Sequence, residues 1–245
     1  MRKLSWPELE RPQARPCMAI IGNGPIRTDL SEFIDACDLV LRFNECKNYG
    51  IHSGRKIDIL CINNTGAPAQ RIVDGRMIRS ASYYDSISEV WFPRNAEIHK
   101  KYAQAVEPPS PLIEFVDWTD ELIVSNELAA VTTQRFSGEF YGMVFHKLKN
   151  KTPEPFVSPS TGFLAIEYVL SEPRFSEYEI ILIGFSFQGW RGHPWKAEHR
   201  ILQGYASGRP NFRIIPPAKM PFYRKGNMAA LKSWLKENVY LSWVD

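Results

Sequence analysis

Residues 18–25 read Met-Ala-Ile-Ile-Gly-Asn-Gly-Pro: four apolar positions run straight into a turn of two glycines, an asparagine and a proline. A short apolar run bounded by turn residues is the signature of a strand buried on both faces. The pattern recurs. Leu39–Phe43, Ile57–Ile62, Ser88–Phe92 and Ile180–Ile183 are further apolar runs of strand length. Between and after them lie segments with helical spacing. Asp29–Ala36 places Leu30, Phe33 and Ile34 on one face, and Ala96–Val106, Arg135–Lys149, Ser160–Leu170, Trp195–Tyr205 and Asn227–Val239 follow. Strands alternating with helices predict an α/β fold with a mostly parallel central sheet flanked by helices. Ligands on such sheets sit beyond the carboxyl ends of the strands, so the turns after Ile21, Phe43, Ile62 and Ile183 are the candidate site.

The chain has 245 residues, 44% hydrophobic and 23% charged, ordinary proportions for a globular domain. The division expected is an N-terminal arm, 1–16, and one domain, 17–245. A net charge of +3 is too small to argue for nucleic acid and suits a site holding one anion. Cys17, Cys37, Cys46 and Cys61 form no CxxC pair, so neither a zinc site nor a disulfide framework is indicated. The polar, proline-bearing start lacks the apolar core of a signal peptide, and no run of about 18 apolar residues occurs. A cytoplasmic location is expected, with peripheral contact at the inner membrane face through the Trp-rich C-terminus left open.

Four segments can carry chemistry. In Gly22-Asn23-Gly24 a strand empties into a loop where backbone N–H groups can meet a phosphate or ribose; the same residues also make an ordinary turn. Arg42 and Asn44 leave a strand at its carboxyl end, and Asn44 offers both a donor and an acceptor. The alternative is a turn cap at Asn44, with Arg42 paired to Asp35 or Asp38. Ser160-Thr161-Gly162 opens a helix, which suits either a cap or an anion site. His193 follows the loop 184–192 beyond a strand end, where a general base would stand. Glu198 lies five residues on, and its spacing with His193 and His199 matches neither zinc helix motif, so no metal site is expected.

Taken together and in this order, the segments resemble the sialyltransferases of glycosyltransferase family 29. Ala19–Gly24 through Asp38–Asn44 resembles that family's long motif, and Ser53-Gly-Arg-Lys56 resembles its tail. Pro159–Ala165 followed by Ile183-Gly-Phe185 resembles the short motif, and His193 with Glu198 resembles the very short motif. The Gly-Asn-Gly-Pro turn is also similar to one in the bacterial family 42 sialyltransferases. The resemblance covers about a third of the chain. It implies a Rossmann-like glycosyltransferase fold of the variant type-A kind, a CMP-activated nonulosonic acid donor, a glycan or glycolipid acceptor, inversion, and no metal or other cofactor. It also implies roles: His193 as base, Glu198 as a second catalytic residue that steadies the loop aiming His193 or meets the acceptor, and Gly22, Asn23, Gly24, Asn44, Ser160, Thr161 and Gly162 as nucleotide and donor contacts. Two family features are missing. The short segment has no cysteine to bridge to the long one, and the His-Tyr motif between the short and very short motifs is absent. Tyr205 and Arg200 are candidates to replace the latter at the phosphate. Other readings stay open at this stage: a CMP-Kdo-dependent transferase, a non-catalytic nucleotide-binding protein, or a nucleotide pyrophosphokinase using magnesium on Asp35, Asp38 and Asp58.

Overall fold

The structure is a computed structural model describing residues 15–75, 87–104, 115–126 and 128–215. The expected helix at 227–239 and nearly all of the arm lie outside the described residues. Seven strands form one sheet: β1 (Cys17–Ile21), β2 (Leu39–Phe43), β3 (Ile59–Cys61), β4 (Glu89–Phe92), β5 (Thr132–Arg135), β6 (Glu179–Ile183) and β7 (Phe212–Ile214). Their spatial order is β5-β4-β3-β2-β1-β6-β7, with every neighbouring pair parallel. The helices are α1 (Ser31–Asp35), α2 (Gly66–Val73), α3 (Ala96–Gln104), α4 (Thr119–Ser125), α5 (Gly138–Lys149), α6 (Thr161–Ser171) and α7 (Trp195–Gly208).

The strand period of two divides the side chains between two faces. Met18 and Ile20 of β1 pack with Leu41, Trp91 and Leu182 against α5, α6 and α7. Cys17, Ala19 and Ile21 point the other way, with Val40 and Ile181, onto Leu30 and Ile34 around α1. Farther along that face, Leu60, Val90 and Phe92 meet Ala69 and Ile72 of α2 and Leu122 of α4. β1 through β5 march outward in one direction and β6 returns to the opposite side of β1. The carboxyl end of β1 is therefore the switch point, where the flanking loops diverge and leave a crevice.

Five elements depart from the expected pattern. The helix expected from Arg135 begins at Gly138, because Ser137 caps it by accepting the Phe140 N–H, and Thr132–Arg135 belong to the edge strand β5. That strand is polar and mostly exposed, so it carries no apolar alternation to read. The short α2 and α4, of eight and seven residues, and the three-residue β7 also lie outside the expected elements.

β1 and β6 meet more closely than ordinary side chains allow. The Gly22 N–H donates to the Ile183 carbonyl and the Gly24 N–H to the Gly184 carbonyl, both at 2.8 Å. A Cβ on Gly22 would lie 2.5 Å from the Gly184 oxygen, and one on Gly24 2.6 Å. Gly204, inside α7, has open space around it. Gly22→Ala should therefore destabilise the protein by about 1–3 kcal/mol through overpacking. Gly204→Ala should be neutral or stabilising by up to about 1 kcal/mol. Urea unfolding of the two variants compares them, and equal stabilities would refute the close-approach account.

Candidate active site

At the carboxyl edge of β2, β1 and β6 lies a cavity of about 310 Å³. The turn Gly22–Gly24, Phe43, Asn44 and Lys47 line one side. Ser160–Gly162, Gly184–Gln188, His193 and Trp195 line the other. All the nucleotide and donor candidates and His193 thus face one space. Glu198 does not line it.

The turn after β1 has few groups left to offer. Besides the two glycine N–H groups held by β6, the Gly22 and Gly24 carbonyls both accept from Asn48 Nδ2, at 2.9 and 2.8 Å. Asn23 Nδ2 donates to the Phe43 carbonyl (3.2 Å), and its Oδ1 accepts the Lys47 N–H (3.0 Å). The turn keeps one backbone donor without an acceptor among the described residues, the Asn23 N–H, and one further amide proton on Asn23 Nδ2. The glycines serve backbone packing more directly than ligand approach. Asn44 sits at φ 48°, a left-handed conformation that asparagine tolerates. Its Oδ1 accepts the Asn63 N–H at 2.8 Å, which leaves Nδ2 for a ligand.

Arg42, read as a site or ion-pair residue, is neither. It is buried, and its guanidinium donates to the Lys56 carbonyl (3.0 Å), Ser53 Oγ (2.8 Å) and the Ser53 and Gly54 carbonyls, pinning the loop after β2. Asp38 and Asp58 precede β2 and β3, at the opposite edge of the sheet. Asp38 accepts the Cys17 N–H and Asp58 the Val40 N–H. Asp35 accepts the Arg55 and Lys56 N–H groups. Tyr205, a candidate phosphate contact, instead donates its hydroxyl to Glu167 at 2.8 Å. Neither Tyr205 nor Arg200 lines the cavity.

The start of α6 is organised by buried charge. Ser160 is the N-cap, and its Oγ accepts the Phe163 N–H at 3.1 Å. That Oγ donates to Glu198 Oε2 while the Ser160 N–H donates to Oε1, both at 2.7 Å. Ser160 is thereby spent on Glu198. The Thr161 and Gly162 N–H groups have no acceptor among the described residues, and they stand at the positive end of the helix. Lys47, paired with Glu45 at 3.0 Å, is, among the described residues, the one lysine or arginine lining the cavity. An anion would meet Thr161, Gly162 and Lys47.

Arg94, which the sequence reading did not single out, lies fully buried behind this segment. Nε donates to Asn63 Oδ1 (2.6 Å), Nη2 to the Pro159 carbonyl (3.2 Å) and Nη1 to Ser158 Oγ. The Ser158 carbonyl is then engaged by His193 Nδ1 at 2.8 Å. A carbonyl can only accept, so Nδ1 carries the proton and Nε2 the lone pair. Desolvation, followed by the nearby Arg94 charge, pushes the His193 pKa down to about 3. The imidazole is therefore neutral and fixed in one tautomer, as a proton acceptor must be. Arg94 follows β4 as Asn44 follows β2, so the strand-end rule could have found it.

No protein-family profile matches the chain. The urease operon 23 kDa accessory protein of Rhizobium meliloti (strain 1021) is 29% identical over 208 residues, covering 83% of this chain and 95% of that protein. Among solved structures, a mammalian sialyltransferase superposes with a TM-score of 0.50 and 18% identity, over 82% of this chain and 69% of that one. A mammalian sialyltransferase in complex with Gal-beta-1-3GalNAc-ortho-nitrophenol gives a TM-score of 0.48 at the same identity and coverage. At such identity the likeness is one of fold: a mostly parallel seven-stranded sheet flanked by helices, with sialyltransferases as structural neighbours.

Burial raises the Glu198 pKa from 4.5 to about 7, against the lowering effect of Ser160 and Arg94. Between those two values the folded state binds a proton that the unfolded chain releases. Stability from this carboxyl is thus complete below about pH 4.5 and is lost as pH rises through about 7. The loss amounts to on the order of 3 kcal/mol. Urea midpoints between pH 5 and pH 8 should fall more steeply for the wild type than for Glu198→Gln. Parallel profiles would mean that Glu198 does not titrate in this window.

Proposed function

We propose that this protein is a metal-independent glycosyltransferase that moves a nonulosonic acid from a CMP-linked donor to a hydroxyl of a glycan, with inversion. One observation carries the reading: a neutral histidine with its lone pair fixed on Nε2 shares a cavity with two free N–H groups at a helix start. A base for an acceptor hydroxyl and a seat for an anionic leaving group are what such a displacement needs.

The chemistry is short. His193 Nε2 takes the proton of the acceptor hydroxyl. The acceptor oxygen forms a bond to the anomeric carbon of the donor. The bond from that carbon to the CMP phosphate oxygen breaks, and its electron pair leaves with CMP. The anomeric carbon of a 2-keto-acid sugar is tertiary, so its transition state has oxocarbenium character. The nucleophile then needs only modest activation. Thr161, Gly162 and Lys47 stabilise charge on the departing phosphate. Asn23 and Asn44 hold the nucleoside through the donors that remain to them. An anionic donor beside His193 also raises its proton affinity, so the base strengthens when the substrate is in place. Glu198 acts through Ser160 and is a positioning residue in this scheme.

The fold neighbours support a glycosyltransferase architecture. The name of the Rhizobium relative speaks of an accessory role in a urease operon and not of sugar transfer. The donor must therefore be tested directly. CMP and CTP should raise the melting temperature while GDP does not. Ligand at about 100 times its Kd adds roughly 2.7 kcal/mol, or roughly 5–10 °C at about 2–4 °C per kcal/mol. With CMP-sialic acid and a mixed glycan pool, CMP should be released, and His193→Ala should lower that rate by about 10²–10⁴ with CMP affinity nearly unchanged. Release only from CMP-Kdo would change the donor. CMP binding without release from either donor would leave a nucleotide-binding protein and sink the transferase reading.

A further inference from the structure

His193 is flanked by two tryptophans, and only one of them belongs to the cavity. Trp195 lines it; its ring centroid is 5.0 Å from that of His193, with the planes at 83°. Trp190 stands at 4.8 Å and 81°, is not part of the cavity lining, and is 49% exposed. Among the described residues it is the one phenylalanine, tyrosine or tryptophan that is exposed. The other exposed large apolar side chains, Ile51, Val116, Val124 and Met143, are aliphatic or thioether groups at separate places in the chain.

This exposure is held in place. The Trp190 carbonyl accepts both the His193 N–H (3.2 Å) and Trp195 Nε1–H (3.0 Å). Its indole lies flat enough on the chain that a Cβ on Gly192 would come within 2.3 Å of the ring. The Gly192 carbonyl in turn accepts from the Val157 and Ser158 N–H groups, at 2.8 and 3.2 Å. Ser158 is the residue whose carbonyl fixes His193. One backbone segment therefore sets both the base and the indole. A large aromatic ring left half-exposed beside a site offers a ligand a face to stack on.

We infer that Trp190 is the stacking platform for the acceptor, and that the acceptor presents a pyranose ring by its apolar C–H face. This rests on the proposed transfer. An acceptor hydroxyl within reach of His193 Nε2 belongs to a ring only a few ångströms across, and of the two tryptophans at that distance from the base Trp190 is the exposed one, outside the cavity that Trp195 lines. A pyranose has one face of C–H groups that suits an indole, while its hydroxyl edge stays available to the base. The indole Nε1–H, with no acceptor among the described residues, can donate to a ring hydroxyl.

The first readout needs no turnover. The protein is labelled at tryptophan indole nitrogen and titrated with methyl β-D-galactopyranoside, methyl β-D-glucopyranoside and, as a non-sugar control, glycerol. Trp190→Ala assigns the Trp190 Nε1–H signal. That signal should shift with at least one pyranoside and not with glycerol. In transfer assays Trp190→Ala should raise the KM for the acceptor about tenfold, equivalent to about 1.4 kcal/mol of binding. Trp190→Phe should recover part of the loss. The CMP-induced thermal shift of each variant reports whether the cavity remains formed. An unshifted Trp190 signal at saturating concentrations of both pyranosides would overturn the platform even if CMP-sugar turnover is observed. A shifted signal in a protein that does not bind CMP would keep a pyranose surface at Trp190 but overturn its role as acceptor platform together with the transferase reading.

Discussion

The backbones leaving β1 and β6 touch at Gly22, Gly24 and Gly184, with no side chain between them. That contact extends the pairing of two central strands one turn beyond the sheet. Everything at the carboxyl edge is placed by reference to it. Asn48 ties the loop after β2 to the same turn, and Asn23 ties the turn back to Phe43 and Lys47. Phe185, in the loop it fixes, packs near Gly162 at the start of α6. A side chain at Gly22 or Gly24 would separate the two loops and with them the two walls of the cavity.

A second layer of order comes from charges with no water around them. Ser158, Pro159 and Ser160 make a bend behind the cavity whose polar groups are held by Arg94 on one side and Glu198 on the other. Such groups are costly to bury and are tolerated only when their hydrogen bonds are met. Here they hold backbone rather than each other. The bend is thereby made stiff, and it is the piece that carries the His193 tautomer and the open N–H groups of α6.

Much of this was legible. The apolar runs of β1, β2 and β6 named the central strands, because strands buried on both faces are almost entirely apolar, Arg42 and Glu179 being the buried exceptions. From their ends, the strand-end rule pointed to the right edge of the sheet. β5 was not legible, since Thr132, Thr133, Gln134 and Arg135 form a mostly exposed edge without alternation. The residue types at Asn23, Asn44 and Ser160 were readable, but not how their donors and acceptors would be spent. That depends on partners such as Lys47, Asn63 and Glu198, which only the folded chain brings within reach. Glu198 shows the difference most clearly. The resemblance to the very short motif set it beside His193 as a catalytic residue, whereas its carboxylate is spent on the helix cap at Ser160 and does not line the cavity.

The register of β1 with β6 also dictates when this site can exist. Cys17 pairs with Glu179 and Ile21 with Ile183, so strands from opposite ends of the described chain sit side by side. During synthesis β1 to β5 can emerge and pair in order, while one edge of β1 stays open. An open, wholly apolar strand edge is prone to pairing with the wrong partner. It closes only when the chain has been made through residue 183, and the loop bearing His193 comes later still. A nascent chain truncated before β6 would hold most of the sheet and none of the completed cavity, with its most adhesive edge uncovered. The strand order alone makes this edge of β1 the last of the central edges to be covered.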